Sequence, residues 1–454
     1  MTFLSIHRRT ALKLLASAAF VPLAGLAAPV GAEDAAGVNF IIMADLHSAY
    51  DRTGQLLAAV EEQVAASAQP SVIIINGDLF ESGNVVAMRS EGEIDWAFLK
   101  ALSETAPVVF NIGNHEPDID NDLAHFVEKA QGLGVTVLSN ITDTRTGALY
   151  APAAATLDVG SQKVTFAAIG VDNLFTYPKA TREQLSIPEP VKWAEANLGS
   201  QLKKGQINVV LSHAGVVADK AILPMLPDGT LMVGGHDHLD IEYAEGNTRY
   251  LHTGCWSTAC TVARVAGPGQ AAAFNRIDID PEAPASAKLA DLIPAVMAAH
   301  LTDEDTAVVA ETAKARTNDE AGLFVAAAMA AATGADIGFI GHTTFGAGVP
   351  KGPVSRYAFN SSIRFDGTLK QAEVDAATLA AILERCNQFG DFPFARRTGD
   401  YLYAAPEAGK KESFVLVCND WSATNAKSYF GREDLVFSDI PDLQVKTVAL
   451  AAMK

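Results

Sequence analysis

VNFIIMADLH, residues 38–47, decides the fold. A six-residue run rich in Val, Ile and Phe reads as a strand buried on both faces, and it delivers Asp45 and His47 at its end. The pattern returns in SVIIINGDLF (71–80), which ends on Asp78, and in PVVFNIGNHE (107–116), which ends on Asn114 and His115. Between these strands, RTGQLLAAVEEQVAASA (52–68), EIDWAFLKALSET (93–105) and DLAHFVEKAQGLG (122–134) carry amphipathic, helical spacing. Strands alternating with helices predict an α/β fold built on a mainly parallel sheet.

Later apolar runs continue the pattern. INVVLSHAG (207–215) ends on His213, and GTLMVGGHDH (229–238) ends on His236 and His238. In an open α/β sheet the carboxyl ends of the strands converge, so side chains far apart in sequence can meet there. Five of the ten histidines fall at such ends; His252 follows the last of them closely. Oxygen and imidazole donors without thiolate suit Mn, Fe or Zn as divalent ions. Six to eight candidate donors exceed one tetrahedral site and suit two ions sharing a bridging carboxylate, for which Asp78 is the candidate. The glycines beside Asp78, Asn114 and His236 are expected to let backbone approach the site, because a Cβ would crowd it.

The bulk composition agrees. Hydrophobic residues make up 49% and charged residues 19% of 454, as in an ordinary globular protein long enough for two domains. A net charge of -19 argues against nucleic acid polymers and anionic membranes as partners. The four cysteines (Cys255, Cys260, Cys386 and Cys418) are too few for a disulfide framework and lack zinc-ribbon spacing. At the start, Arg8, Arg9 and Lys13 precede a short apolar run and small residues up to Ala32. This is the layout of a twin-arginine-type signal peptide over residues 1–32, implying the export machinery as a partner and a periplasmic or secreted destination. No later segment is apolar and long enough to predict a membrane span. DPEAPASAKLAD (280–291) reads as a linker between a first domain, 36–279, and a second, 292–454.

The ordered set D-x-H, GD, GNHEPD, H-x-G and GHDH resembles the calcineurin-like metallophosphoesterases, and within them the 5′-nucleotidases. The resemblance implies a four-layer α/β/β/α metallophosphatase sandwich followed by a smaller α+β C-terminal substrate domain. It implies two divalent metal ions, one on Asp45, His47 and His238, the other on Asn114, His213 and His236, with Asp78 between them. Hydrolysis of nucleotides or another small phosphomonoester, by a hydroxide held between the metals, is the implied reaction. His115 would act as acid or transition-state stabiliser, oriented by Asp118, unless Asp118 serves as the N-cap of the following helix. Arg316, Phe359 and Trp421 stand where the family contacts substrate, although each also suits a structural role. Two stretches depart from the family: GHTTFGAG (341–348) lacks an expected arginine, and NAKSYF (425–430) puts Lys427 where an aspartate would accept ribose hydroxyls. Two other readings share the metal donors: a thiosulfohydrolase of sulfur oxidation and a non-catalytic periplasmic binding protein.

Overall fold

Near-continuous β-branched runs form the two sheets at the centre of the molecule. The computed structural model describes residues 37–346 and 348–453, so the expected leader, residues 1–32, lies outside the described residues. Strands β1 (Val38–Met43), β2 (Ser71–Asn76), β3 (Val108–Asn111) and β4 (Thr136–Leu138) run parallel and adjacent. Antiparallel strands Ala259–Val265 and Ala273–Asp278 complete this six-stranded sheet beside β1. A second six-stranded sheet centres on three parallel strands, Gln162–Ile169, Ile207–Ser212 and Leu231–Gly234.

Each strand divides its side chains between two cores. Phe40, Ile42, Val72 and Ile74 point toward Phe166, Val209, Leu211 and Val233 of the other sheet; Phe40 and Phe166 meet edge to face at 6.2 Å. The alternate residues Ile41, Met43, Ile73 and Ile75 face outward, onto Leu56, Phe98 and Phe126 of helices α1 (Thr53–Ala66), α2 (Glu93–Ser103) and α3 (Leu123–Gly132). Helices Pro190–Gln201 and Val216–Ile222 cover the second sheet. The result is an α/β/β/α four-layer sandwich.

Two asparagines join the sheets at their carboxyl edge. Asn76, the last residue of β2, donates from Nδ2 to the carbonyls of Ser212 (2.9 Å) and Val233 (3.1 Å). Asn111, the last residue of β3, donates to Asn76 Oδ1 at 2.9 Å and to the carbonyls of Ile169 and Leu211 at 3.2 Å. Both are fully buried, and each hydrogen bond offsets the cost of a polar group in the interior. They fix the relative height of the two edges on which the site stands.

Residues 280–291 do not hang free. Leu289 is buried, Ser286 N donates to Gly54 O at 2.9 Å, and Ser286 Oγ donates to Glu61 Oε2 at 2.8 Å, so the stretch is held against α1. Beyond it, a five-stranded sheet carries helix Asn318–Thr333 in a smaller α+β domain. That helix is begun by a capping box of Thr317 and Glu320 and ended by Gly334 in the left-handed conformation. Its Ala321, Val325 and Met329 share one core with Met232 and Tyr250 of the second large sheet. All four cysteines are buried, free thiols. No helix among the described residues is long and apolar enough to cross a membrane.

Candidate metal centre

Five strand ends converge on one point. Asp45 and His47 follow β1, Asp78 follows β2, and Asn114 follows β3; His213 follows Ile207–Ser212, and His236 and His238 follow Leu231–Gly234. Donor atoms of Asp45, His47 and His238 all lie within 4.8 Å of one another, and so do those of Asp78, His213 and His236. Asn114 Oδ1 lies 2.9 Å from His236 Nδ1, its amide oriented by donation from Nδ2 to Thr176 O at 3.2 Å. Asp78 stands between the groups, with Oδ2 3.1 Å from His213 Nε2 and 3.9 Å from His47 Nε2. The seven expected donors are therefore brought together, with Asp78 grouped beside His213 and His236.

The backbone is bent to do this. Asp45, His47, Asp78, His236 and His238 all have φ between 50° and 75°, the left-handed region. Such residues cost on the order of 1–3 kcal/mol each, and they gather where surrounding structure enforces them. Asp45 Oδ1 accepts from His236 N at 2.9 Å, and Asp78 Oδ1 accepts from His115 N at 2.9 Å, so the carboxylates lock the opposing loops. Gly113 leaves the space for Asp78: a Cβ there would collide with Asp78 Oδ1. Gly113→Ala is expected to lower stability by roughly 1–3 kcal/mol through overpacking, read as a fall in Tm together with weakened metal uptake.

The donor set fits divalent cations on chemical grounds. His213 Nδ1 lies 2.7 Å from the Asn76 carbonyl, which can only accept, so Nδ1 carries the proton. Its Nε2 then faces the Asp78 carboxylate, two acceptors that require a proton or a cation between them. Burial tends to lower the His213 pKa, but Asp78 and Asp45 lift it to about 10, the proton filling that gap. His47 and His238 turn Nε2 toward Nε2 at 2.8 Å, a contact that needs a proton on one ring or a cation between the two. Burial depresses His47 to about 4 and holds His238 well below the usual imidazole range, keeping both imidazoles neutral, the form that binds metal. Burial also lifts Asp45 to about 8, the mark of a carboxylate placed for a positive partner that side chains do not fully supply.

His115 stands beside this cage, its ring edge-on to His47 at 4.8 Å between centroids. Its Nδ1 is 2.8 Å from Asp118 Oδ2, which also accepts from Ser82 N at 2.7 Å. Burial would lower the pKa of His115; Asp118 and Asp78 outweigh it and raise it to about 10. Asp118 belongs to a short 3-10 turn, and the cap of α3 is Asp122, which accepts from Ala124 N at 2.9 Å.

The expected substrate contacts scatter. Arg316 lines a cavity of about 620 Å³ between the two large sheets' carboxyl edge and the C-terminal domain, together with His238, His342 and Tyr403. Phe359 does not reach it: the ring is 3% exposed and packs into the core from the inward face of helix Arg356–Ser362. Trp421 is 56% exposed, and the aromatic presented near the end of that helix is instead Phe365, 49% exposed. Lys427 turns to solvent and pairs with Glu433 at 2.6 Å. His252 is held below the strand ends, its Nε2 2.5 Å from Tyr250 Oη, outside the donor clusters.

Two buried acids escaped the sequence reading. Glu116 receives the backbone N–H groups of Gly113 (2.6 Å), Leu79 (2.8 Å) and Asp78 (3.2 Å), tying two site loops together. Glu81 lies 3.5 Å from His47 Nδ1. Glu116 sits within GNHEPD and Glu81 directly follows SVIIINGDLF, and an acid in a run that must be buried was the available signal.

Comparison with known proteins follows the same lines. Residues 38–240 match the family model of the calcineurin-like phosphoesterases. No curated protein matches the sequence. Among solved structures, a 5′-nucleotidase precursor from Thermus thermophilus is 17% identical with a TM-score of 0.59, covering 92% of this chain and 96% of its own. The sulfate thiohydrolase SoxB of the same species is 15% identical with a TM-score of 0.63, covering 92% and 93%. A 5′-nucleotidase from Candida albicans is 12% identical at 0.58, covering 92% and 97%. These likenesses extend the shared fold through the C-terminal domain, and residues 38–240 form a domain that matches the calcineurin-like phosphoesterases.

Proposed function

We propose that this chain is an exported, two-metal hydrolase of small phosphomonoesters, nucleotides among them. The observation that carries the reading is the convergence of seven donors from five strand ends, with Asp78 reaching an imidazole of each neighbouring cluster. Asp45, His47 and His238 would hold one divalent ion, and Asn114, His213 and His236 the other, with Asp78 shared. When bound, the ions supply Lewis acidity and neutralise charge on the phosphoryl group. The rest is the work of side chains. Asp118 fixes the His115 ring with Nδ1 protonated, so that Nε2 can deliver a proton to the leaving oxygen. Arg316, with a buried Nη1 lacking any hydrogen bond, is suited to an anionic group entering the cavity beside His238. Phe365 and Trp421 are exposed aromatics of the C-terminal domain suited to stacking on an organic leaving group.

The test is a phosphoester screen on metal-reconstituted protein, with nucleoside monophosphates, cyclic nucleotides and sugar phosphates. Turnover of at least one monoester, abolished by chelation and restored by metal, is the expected result. Turnover of none, with activity confined to a sulfonated thiol conjugate on a peptide, would move the reading to a thiosulfohydrolase. Binding without turnover of anything would move it to a binding protein. The leader over residues 1–32 predicts a mature N-terminus near residue 33, checked by N-terminal sequencing of exported material.

A further inference from the structure

We propose that Arg364, contributed by the C-terminal domain, is a positioning residue for the metal centre, acting on His47 through Glu81 and Trp256. The inference rests on reading the centre as a metal site. Arg364 lies 283 residues from Glu81 in sequence, yet its Nη2 donates to Glu81 Oε2. Both side chains are almost wholly buried, 5% and 4% exposed. Its Nη1 donates to Thr343 O at 3.1 Å, and its backbone N donates to Thr344 O at 2.8 Å. The guanidinium sits 5.0 Å over the Trp256 ring, and Trp256 stacks on His47 at 5.1 Å with 23° between planes. Glu81, 3.5 Å from His47 Nδ1, closes the circuit.

Each member has a defined effect on the next. Arg364 pairs with Glu81 and holds its carboxylate against the His47 ring. A carboxylate beside Nδ1 selects the tautomer protonated there and leaves Nε2 facing Asp45 and His238. Trp256 blocks rotation of the ring away from that direction. His213 is oriented by a carbonyl of its own domain, whereas His47 depends on a charge supplied from the other. The same C-terminal segment places His342 Nε2 2.7 Å from Asp237 O, between His236 and His238, so the dependence extends to a second ligand loop. Docking of the C-terminal domain thereby becomes part of metal affinity.

The experiment measures metal affinity by competition with a chromophoric chelator, and the visible absorption of the Co(II)-loaded protein, for Arg364→Met, Glu81→Gln and the double variant. Arg364→Lys tests rescue. Arg89→Ala, which breaks a different ion pair, to Asp305 at 2.6 Å, is the control for domain contacts in general. Loss of an outer partner of a ligating histidine typically weakens metal binding about 10–100-fold. That loss, with an altered Co(II) spectrum, is expected for both single variants. Partial rescue is expected in the lysine variant, and no change in affinity in the control. The double variant should lose no more than the worse single one, since both interrupt one path. Because it leaves no unpaired buried charge, it also serves if a single variant fails to fold. Affinity within twofold of the parent in the folded variants, or an equal loss in Arg89→Ala, overturns the proposal. A parent chain that takes up no metal overturns this proposal and the proposed function together; a metal-loaded, active parent with unaffected variants overturns only this one.

Discussion

His115→Ala is expected to lower kcat roughly 10²–10⁴-fold, the usual range for a lost general acid, while metal stoichiometry stays that of the parent. The separation of the two effects follows from geometry. The His115 ring is held by Asp118 and lies beside His47, and its backbone N–H, which alanine keeps, is the group that donates to Asp78 Oδ1. Truncation at Cβ removes the proton donor and leaves that anchor in place. Asp118→Asn should cost less, about 10-fold or more, because an amide oxygen can still accept from Nδ1 but no longer supports the imidazolium. A substrate with an acidic leaving group should narrow the gap between parent and His115→Ala, since such a group departs without a proton. Equal kcat in parent and His115→Ala, on a substrate with a basic leaving group, would remove His115 from the chemistry.

The pattern that made the site legible was local. Each Val/Ile-rich run is buried on both faces, and its polar terminus has nowhere to go except the carboxyl edge of the sheet, so Asp45, Asp78, Asn114 and His213 could be placed together before any contact was known. What stayed hidden depends on contacts across hundreds of residues. Nothing near Arg364 in sequence points to Glu81, and nothing near Asn76 announces that its amide stitches two sheets. Asp118 was ambiguous because an acid ahead of a helix is also the commonest cap; Asp122 takes that task, freeing Asp118 for His115. Phe359 and Phe365 could not be told apart by residue type. Helical spacing turns Phe359 into the core, while the chain's exit from the helix leaves Phe365 outside. The proline- and alanine-rich stretch 280–291 looked like a free linker because its anchors, Gly54 and Glu61, lie on α1.

Asp78→Asn is the substitution expected to do most damage. The change is nearly isosteric, and an amide oxygen can still accept from His115 N, so the loops have little cause to move. The charge is what disappears. Asp78 is the carboxylate within 3.1 Å of His213 Nε2 and 3.9 Å of His47 Nε2, one imidazole from each donor cluster. Burial alone would raise its pKa, yet His213, His115 and His47 hold it well below the usual carboxylate range, so it is an anion at neutral pH. Two cations held a few ångströms apart repel, and a shared anion is what offsets that repulsion. Without it, the second equivalent of metal should be lost and kcat should fall by at least about 10³-fold, beyond the loss of a single neutral donor. Stability offers an independent reading. A ligand at 100 times its Kd stabilises the folded state by about 2.7 kcal/mol, so metal should raise the Tm of the parent well above that of chelated protein. The variant should lose most of that rise. Two full equivalents bound to Asp78→Asn, with the parental gain in Tm, would show that Asp78 does not bridge.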